Sequence, residues 1–298
     1  MNNFDDLFVP KKEQEERKTY KAYDKEEWAE KKKAERASAF ELLDTATKEI
    51  MENGEKFKDF LNVGSRFDRY SVSNLALIAK QMPTAVRLAD FDTWKDSDVF
   101  INKGEKGITI LEPGNEFTRE DGTTGFSVNV KKVFDISQTS ESENYSEPKM
   151  PKQRIAMKAL IASSPCDIRM TDNLPEVMAM FMEEDKAIYI RQGLEGNDVF
   201  RCLANEIAVA KLQANGIERK DAGFTAYCVS YILCEKYGFD TSNFNFDGVA
   251  KQFEGVEAKE ARLQLDKVRD IVSDISYDMN RNIKEEQIKE QKSRNDAR

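Results

Sequence analysis

Residues 202–212, CLANEIAVAKL, have the spacing of a metallopeptidase helix but lack its metal ligands. In the pattern His-Glu-x-x-His, two histidines one helical turn apart bind zinc, and the glutamate deprotonates a zinc-bound water. Here Asn205 and Val209 stand at the histidine positions, and only Glu206 matches the pattern. Without a metal the pKa of water, about 15.7, leaves a carboxylate base ineffective. The segment therefore predicts a helix that keeps the packing of such a site without its chemistry.

The chain of 298 residues contains no histidine. This excludes Ser-His-Asp and Cys-His catalysis, because no other side chain titrates near neutrality unless its pKa is strongly perturbed. No two cysteines form a Cys-x-x-Cys pair, so we predict reduced thiols at Cys166, Cys202, Cys228 and Cys234. No apolar run approaches the roughly 20 residues that span a bilayer, and the first ten residues lack the features of a signal peptide. We expect a cytoplasmic protein with no cofactor and no membrane partner.

The chain is acidic, with a net charge of −9. Such a charge is unusual for a nucleic-acid-binding protein, although binding depends on where the positive charge lies. Between residues 61 and 110 there are seven basic and six acidic residues, so this region is less acidic than the chain as a whole. It is not a strong basic patch.

Helical and β patterns occupy separate stretches of the sequence. A helix is predicted across residues 71–83, because Ser71 or Ser73 can cap its start and Pro83 limits its end. Two short strands around Gly104 and Gly107 follow, and then residues 125–139 alternate as a strand. Past a polar stretch at 137–152, strand-like CDIRM and KAIYIRQ precede the helix at 202–212 and a further helix. These patterns predict an α+β fold class.

Several motifs of the first half occur in a characteristic order. They comprise Tyr70, Ser71 and Asn74; Gln81 and Pro83; Trp94; the KGEKGI turn at residues 103–108; and Val133, Phe134, Asp135, Gln138 and Thr139. This order and spacing resemble the N-terminal domain of ArdC-type antirestriction proteins, which occur on plasmids and conjugative elements. The resemblance implies single-stranded-DNA binding and protection of incoming DNA.

The resemblance extends to the second half, where the family carries a zinc-metallopeptidase-like domain. In that family a glutamate on the following helix is the third metal ligand, and a gapless match places Tyr227 there. The three metal positions are then Asn205, Val209 and Tyr227, beside Glu206. None is a competent zinc ligand, since valine has no donor atom and asparagine or neutral tyrosine binds zinc weakly. We predict no bound metal and no catalysis.

The resemblance and the patterns together divide the chain into five predicted parts. Residues 1–36 form a charged arm, helical or disordered, and residues 37–140 form an ArdC-like domain of helices and a β-hairpin that binds DNA. Residues 141–152 are a linker, residues 153–255 a mixed metallopeptidase-like domain without its metal site, and residues 256–298 a helical tail.

Candidate DNA contacts follow from how proteins hold single strands, with aromatic rings stacking on bases and cations near phosphates. Stacking candidates are Tyr70, Trp94, Phe91 and Phe100, and phosphate candidates are Lys80, Arg87, Lys103 and Lys106. For Trp94 and Phe91, a position in the core is favoured over a stacking role. Asn74 and Gln81, seven residues apart on one helix face, could contact bases or brace the loop before Pro83.

The leading functional hypothesis is a non-catalytic single-stranded-DNA-binding protein of a mobile genetic element, which protects transferred DNA or counters host defence. The alternative is a protein-interaction module that inhibits a host defence enzyme through an acidic surface. An active metallopeptidase is the third and weakest reading. The sequence leaves the oligomeric state open.

Overall fold

The computed structural model describes residues 25–119, 121–174 and 176–296, and the fold is α+β. In these residues the helices are α1 (Lys25–Glu52), α2 (Gly54–Arg66), α3 (Val72–Gln81), α4 (Phe91–Asp96), α5 (Gln153–Ala162), α6 (Gly196–Ala214), α7 (Arg219–Tyr237), α8 (Val249–Gln252) and α9 (Ala258–Asp296). The strands are β1 (Leu88–Asp90), β2 (Ile108–Thr118), β3 (Thr124–Asp135), β4 (Asp167–Thr171), β5 (Ala179–Met182) and β6 (Ala187–Arg191). Residues 1–24 of the predicted arm lie outside the described residues, and the rest of the arm belongs to α1.

Helix α3 follows the sequence prediction closely. The Ser71 hydroxyl accepts a hydrogen bond from the Asn74 N–H at 3.3 Å, which caps the start of the helix. The helix ends at Gln81, two residues before Pro83, as the conformational restriction before proline requires. Leu75, Leu77 and Ile78 are buried in the core.

The first sheet has the order β1-β3-β2, and all its pairs are antiparallel. Strands β2 and β3 form a long hairpin in which Ile108 pairs with Val133 and Thr118 pairs with Thr124. Of the two short strands predicted around the glycine turn, the second forms the start of β2, whereas the prediction of the first was wrong. Ile101 forms only an isolated bridge with Thr139, because β3 pairs with β2 on one side and with β1 on the other.

The second sheet has the order β4-β6-β5, with β4 parallel and β5 antiparallel to β6. Strands β4 and β6 lie where the sequence predicted strands, whereas β5 was not predicted. Its four residues, AMFM, contain no β-branched side chain, so local preference gives no strand signal there. Pairing with β6 decides its conformation.

One hydrophobic core runs through both halves of the chain. Phe57 of α2 packs against Phe224 of α7 with ring centroids 5.7 Å apart, and the Tyr231 hydroxyl of α7 donates to Asn62 Oδ1 at 2.7 Å. The domain boundaries stay a prediction, and the halves share this core. Helix α9 buries a stripe that includes Leu265 and Met279 against α5 and α7, as expected for a packed helix. Among the described residues, no helix has the length and apolar character needed to cross a membrane.

Candidate functional site

Two carboxamide side chains of α3 pair with the free edge of β2. The Asn74 Oδ1 accepts from the Leu111 N–H at 2.8 Å, and its Nδ2 donates to the Leu111 carbonyl at 2.8 Å. Gln81 repeats the arrangement at Thr109, with distances of 2.9 and 3.0 Å. Each amide thus satisfies both backbone groups of one edge residue, as a neighbouring strand would. Asn74 and Gln81 therefore brace the sheet, and the structure does not support the prediction that they contact bases.

The carboxylate of Asp135 and the amide of Gln138 organise the loops beside this sheet. Asp135 is buried, and its Oδ2 accepts from the N–H groups of Val86 at 2.7 Å and Arg87 at 2.9 Å. Gln138 Oε1 accepts from the Asp135 N–H at 2.9 Å, while its Nε2 donates to the Lys106 carbonyl at 3.0 Å. These bonds fix the turn at residues 103–107 to the end of β3.

The turn at residues 103–107 exposes two lysines. Gly104 has a φ of 93°, a conformation that favours glycine. A Cβ at Gly107 would lie 3.0 Å from atoms of the Lys132 and Phe134 side chains, so glycine permits this close approach. Lys103 and Lys106 are exposed, and neither forms an ion pair with a described residue. They remain candidates for phosphate contact.

Three other predicted DNA contacts have partners within the protein. Trp94 is 2% exposed, and its Nε1 donates to the Phe134 carbonyl at 3.0 Å. The Arg87 guanidinium lies 5.2 Å from the centre of the Trp94 ring, and Lys80 Nζ is 2.5 Å from Glu49 Oε1. The prediction that Trp94 stacks on a base is not supported, because its ring faces the core. Phe91 and Phe100, by contrast, are exposed.

A groove of about 1070 Å³ lies between the first sheet and the helices α1 and α9, next to the start of α3. Its apolar walls are formed by Tyr70, Phe40, Phe126 and Leu263, of which Phe126 is 59% exposed. Burial raises the pKa of the Tyr70 hydroxyl. Of the predicted contacts, the groove contains Tyr70 and the backbone-bonded Asn74.

The charges in the groove divide into paired and unpaired groups. Lys131 Nζ lies 2.7 Å from Asp90 Oδ2 and 3.0 Å from Glu112 Oε1. The hydrogen bond from Lys131, together with those from Thr93, holds the pKa of the Asp90 carboxyl far below its usual range. Arg69 and Lys259 also line the groove, and neither forms an ion pair within the part of the chain that the structure describes. These two cations are therefore available to an anionic ligand.

Sequence reasoning missed four groove residues: Arg69, Phe126, Lys259 and Leu263. The last two belong to the start of α9, about 190 residues beyond Arg69 in the chain. The possible sequence signal for Phe126 was its alternation with Val128 and Val130, but alternation does not show which face of a strand is covered.

The residues at the predicted metal positions are linked by hydrogen bonds. Glu206 is buried, and its Oε2 accepts from the Phe181 N–H at 2.7 Å and from Arg219 Nη2 at 3.0 Å. With its amide oriented to satisfy both groups, Asn205 donates to Glu206 Oε1 at 3.1 Å and accepts from the Tyr227 N–H at 3.3 Å. The Tyr227 hydroxyl accepts from the backbone N–H of Asn245 at 2.8 Å.

These residues do not fit a metal ion. Val209 is buried and has no donor atom, and the Glu206 carboxylate is already bonded to a guanidinium and a backbone N–H. Within the described ranges, no group of three or more histidine, cysteine, aspartate or glutamate side chains is placed to hold an ion. Glu206 is therefore a buried carboxylate whose negative charge is paired with the guanidinium of Arg219.

Comparison with solved structures identifies the fold. The Mn(II)-bound crystal structure of the antirestriction protein ArdC from plasmid R388 matches with a TM-score of 0.55 and 16% identity, over 81% of this chain and 97% of that one. Its metal-free structure matches with a TM-score of 0.52 and 14% identity, over 71% and 86% of the two chains. The chain therefore has the fold of ArdC, and the α+β class and the ArdC resemblance are confirmed at the level of the fold.

One curated relative is an uncharacterised protein of Bacillus anthracis, pXO2-81. It is 23% identical over an alignment of 321 positions that covers 85% of this chain and 54% of the relative. The chain thus spans about half the length of that relative. No family model matches the sequence.

Proposed function

We propose that this chain, which has the ArdC fold, is a non-catalytic antirestriction protein of a mobile genetic element that acts in the cytoplasm by binding single-stranded DNA. In this role it protects transferred DNA or counters host defence. The observation that carries the proposal is the groove, where the aromatic residues Tyr70 and Phe126 lie beside the unpaired cations Arg69 and Lys259. The antirestriction role of the R388 protein supports the biological context.

The groove combines the two features that single strands require. Aromatic rings stack on bases of any sequence, and cations near them attract the phosphates. Duplex DNA has its bases already stacked, so the aromatic walls give it no comparable gain. The acidic side chains Asp90 and Glu112 both pair with Lys131, which offsets one of their two negative charges inside the groove. We therefore expect a preference for single strands despite the net charge of −9.

The turn at residues 103–107 extends the proposed DNA-binding surface beyond the groove. Lys106 lies in the turn at residues 103–107, near the C-terminal end of α3, and Tyr70 precedes the N-terminal end of that helix. Ten helical residues rise about 15 Å, so the two sites are separated by a few nucleotides of extended strand. Lys103 and Lys106 are placed to contact phosphates of a strand that leaves the groove in this direction.

Replacing Lys103 and Lys106 by alanine is expected to weaken single-strand binding and to flatten its salt dependence. Each lost phosphate contact lowers the slope of log K against log salt by about 0.7 for single strands, so the double variant should lose about 1.4. Fluorescence anisotropy of a labelled oligonucleotide at several salt concentrations measures this slope, with duplex for comparison.

The control for the lysine variant is Lys220→Ala/Lys251→Ala, which removes two exposed lysines of the second half. An equal loss of slope in the control would mean that only overall charge matters. Absence of single-strand binding by the wild type, even at low salt, would contradict the proposal and favour the alternative of a protein that inhibits a host enzyme.

Replacing Phe126 by alanine is expected to lower single-strand affinity about five- to a hundredfold, because stacking contributes about 1–3 kcal/mol for each base. Phe117 is the matched control, since it is 48% exposed on the same hairpin but lies outside the groove. Phe117→Ala should leave the affinity within about twofold of the wild type. Equal effects of the two variants in the anisotropy titration would exclude the groove as the stacking site.

We further propose that the second half is a pseudo-metallopeptidase. The proposal is supported by the residues at the three metal positions, Asn205, Val209 and Tyr227, and by the pairing of Glu206 with Arg219. Without a metal ion to lower the pKa of a bound water, the Glu206 carboxylate has no activated water to deprotonate. Purified protein should therefore show no peptidase activity on unfolded casein with or without added Mn(II) or Zn(II).

A further inference from the structure

The open edge of β5 is bonded to side chains of the degenerate site. Strand β5 is an edge strand, because the second sheet has the order β4-β6-β5. The Phe181 N–H donates to Glu206 Oε2 at 2.7 Å, and the Phe181 carbonyl accepts from Arg219 Nη1 at 3.2 Å. Successive residues of an edge strand direct their backbone groups alternately to the paired strand and to the open side. Phe181 therefore faces the open side, where Glu206 and Arg219 satisfy both of its groups.

Arg219 also neutralises the buried carboxylate. Its Nη2 lies 3.0 Å from Glu206 Oε2 and 3.3 Å from Oε1. The Glu206 side chain is only 8% exposed, whereas the Arg219 side chain is 41% exposed. A carboxylate with so little access to water requires a positive partner, and the planar fork of arginine bonds a carboxylate and a carbonyl at the same time.

We infer that Arg219 replaces a metal ion as the positive centre of this site, and that the Glu206–Arg219 pair closes the open edge of β5 at Phe181. A peptide that joins a sheet by strand addition needs free N–H and C=O groups on the edge strand. The pair occupies both groups at Phe181, so this half of the protein binds neither a divalent metal nor a peptide strand there. The inference rests on the proposed loss of the metal site and is independent of DNA binding.

Hydrogen–deuterium exchange of the wild type and of Arg219→Met tests the edge closure. We expect the Phe181 amide to be protected in the wild type and to exchange at least tenfold faster in the variant, with a lower melting temperature, because the buried Glu206 carboxylate that accepts from this amide loses its positive partner and turns toward water. Arg219→Lys keeps the charge but not the double contact, so the exchange rate of its Phe181 amide should lie between those of the wild type and Arg219→Met. The control is Arg281→Met, because Arg281 pairs with Asp278 at 3.2 Å within α9 and has no bond to the second sheet. Unchanged protection of Phe181 in Arg219→Met would overturn the inference.

Metal addition tests the inference that this site binds no divalent metal ion. Melting curves with EDTA, MnCl2 or ZnCl2 should coincide for the wild type, and calorimetry should detect no stoichiometric metal binding. The double variant Glu206→Gln/Arg219→Met should recover part of the stability lost in Arg219→Met, because no buried charge is left unpaired. Stoichiometric Mn(II) or Zn(II) binding that Glu206→Gln abolishes would overturn both this inference and the pseudo-metallopeptidase proposal. The anisotropy titrations of the groove variants would be unaffected by that result.

Discussion

Alanine at both Asn74 and Gln81 is expected to lower the free energy of unfolding by about 4 kcal/mol. Each substitution leaves the N–H and carbonyl of one residue of β2, Leu111 or Thr109, without a partner. An unsatisfied buried polar group costs about 1–3 kcal/mol, and partial access of water reduces the loss to about 2 kcal/mol for each amide. Urea denaturation followed by circular dichroism measures the change.

The matched control for this pair is Asn129→Ala/Gln192→Ala, which removes two exposed amides. Its effect should stay within about 0.5 kcal/mol for each site. Gln81→Ala alone should also retain the single-strand affinity of the wild type under conditions in which it is folded, because its amide is bonded to the sheet. A stable Gln81→Ala variant with lost DNA affinity would show instead that the amide contacts the nucleic acid.

Alanine at Asp135 is expected to lower the free energy of unfolding by about 4 kcal/mol. The carboxylate accepts hydrogen bonds from the N–H groups of Val86, Arg87 and Ser137, and the residue is 1% exposed. Hydrogen bonds to a charged group contribute about 1.5–3 kcal/mol each, and the three donors cannot all turn to water after the truncation. Urea denaturation at pH 7 measures the loss.

The control for Asp135 is Asp121→Ala. Asp121 accepts from the Thr123 N–H at 2.9 Å in the exposed hairpin turn, where water can replace the carboxylate. We expect a change of at most about 0.5 kcal/mol in this variant. Asp135→Asn should fall between the two, because one oxygen remains to accept. A loss below about 1 kcal/mol in Asp135→Ala would mean that the loop at residues 86–87 does not depend on this carboxylate.

Local sequence determined the elements whose signals are short-ranged. The cap at Ser71 and the proline at position 83 determined α3, and Gly238, in the left-handed conformation, ends α7. The missing donor at Val209 and the absence of histidine were likewise readable, because the chemistry of a ligand belongs to the residue itself. The sequence motifs also predicted the ArdC fold.

Tertiary structure decided where the side chains of those motifs point. From sequence, the side chains of Trp94, Asn74 and Gln81 could have faced either a ligand or the protein, and contacts with residues 28–40 positions away turned them inward. The partner of Glu206 was also invisible, since Arg219 reaches it only because α6 and α7 pack together beside β5. The groove joins Arg69 to Lys259 through the same long-range packing. Helix caps, turns and ligand types depend on neighbouring residues, whereas the burial and pairing of a side chain depend on which distant segments cover it.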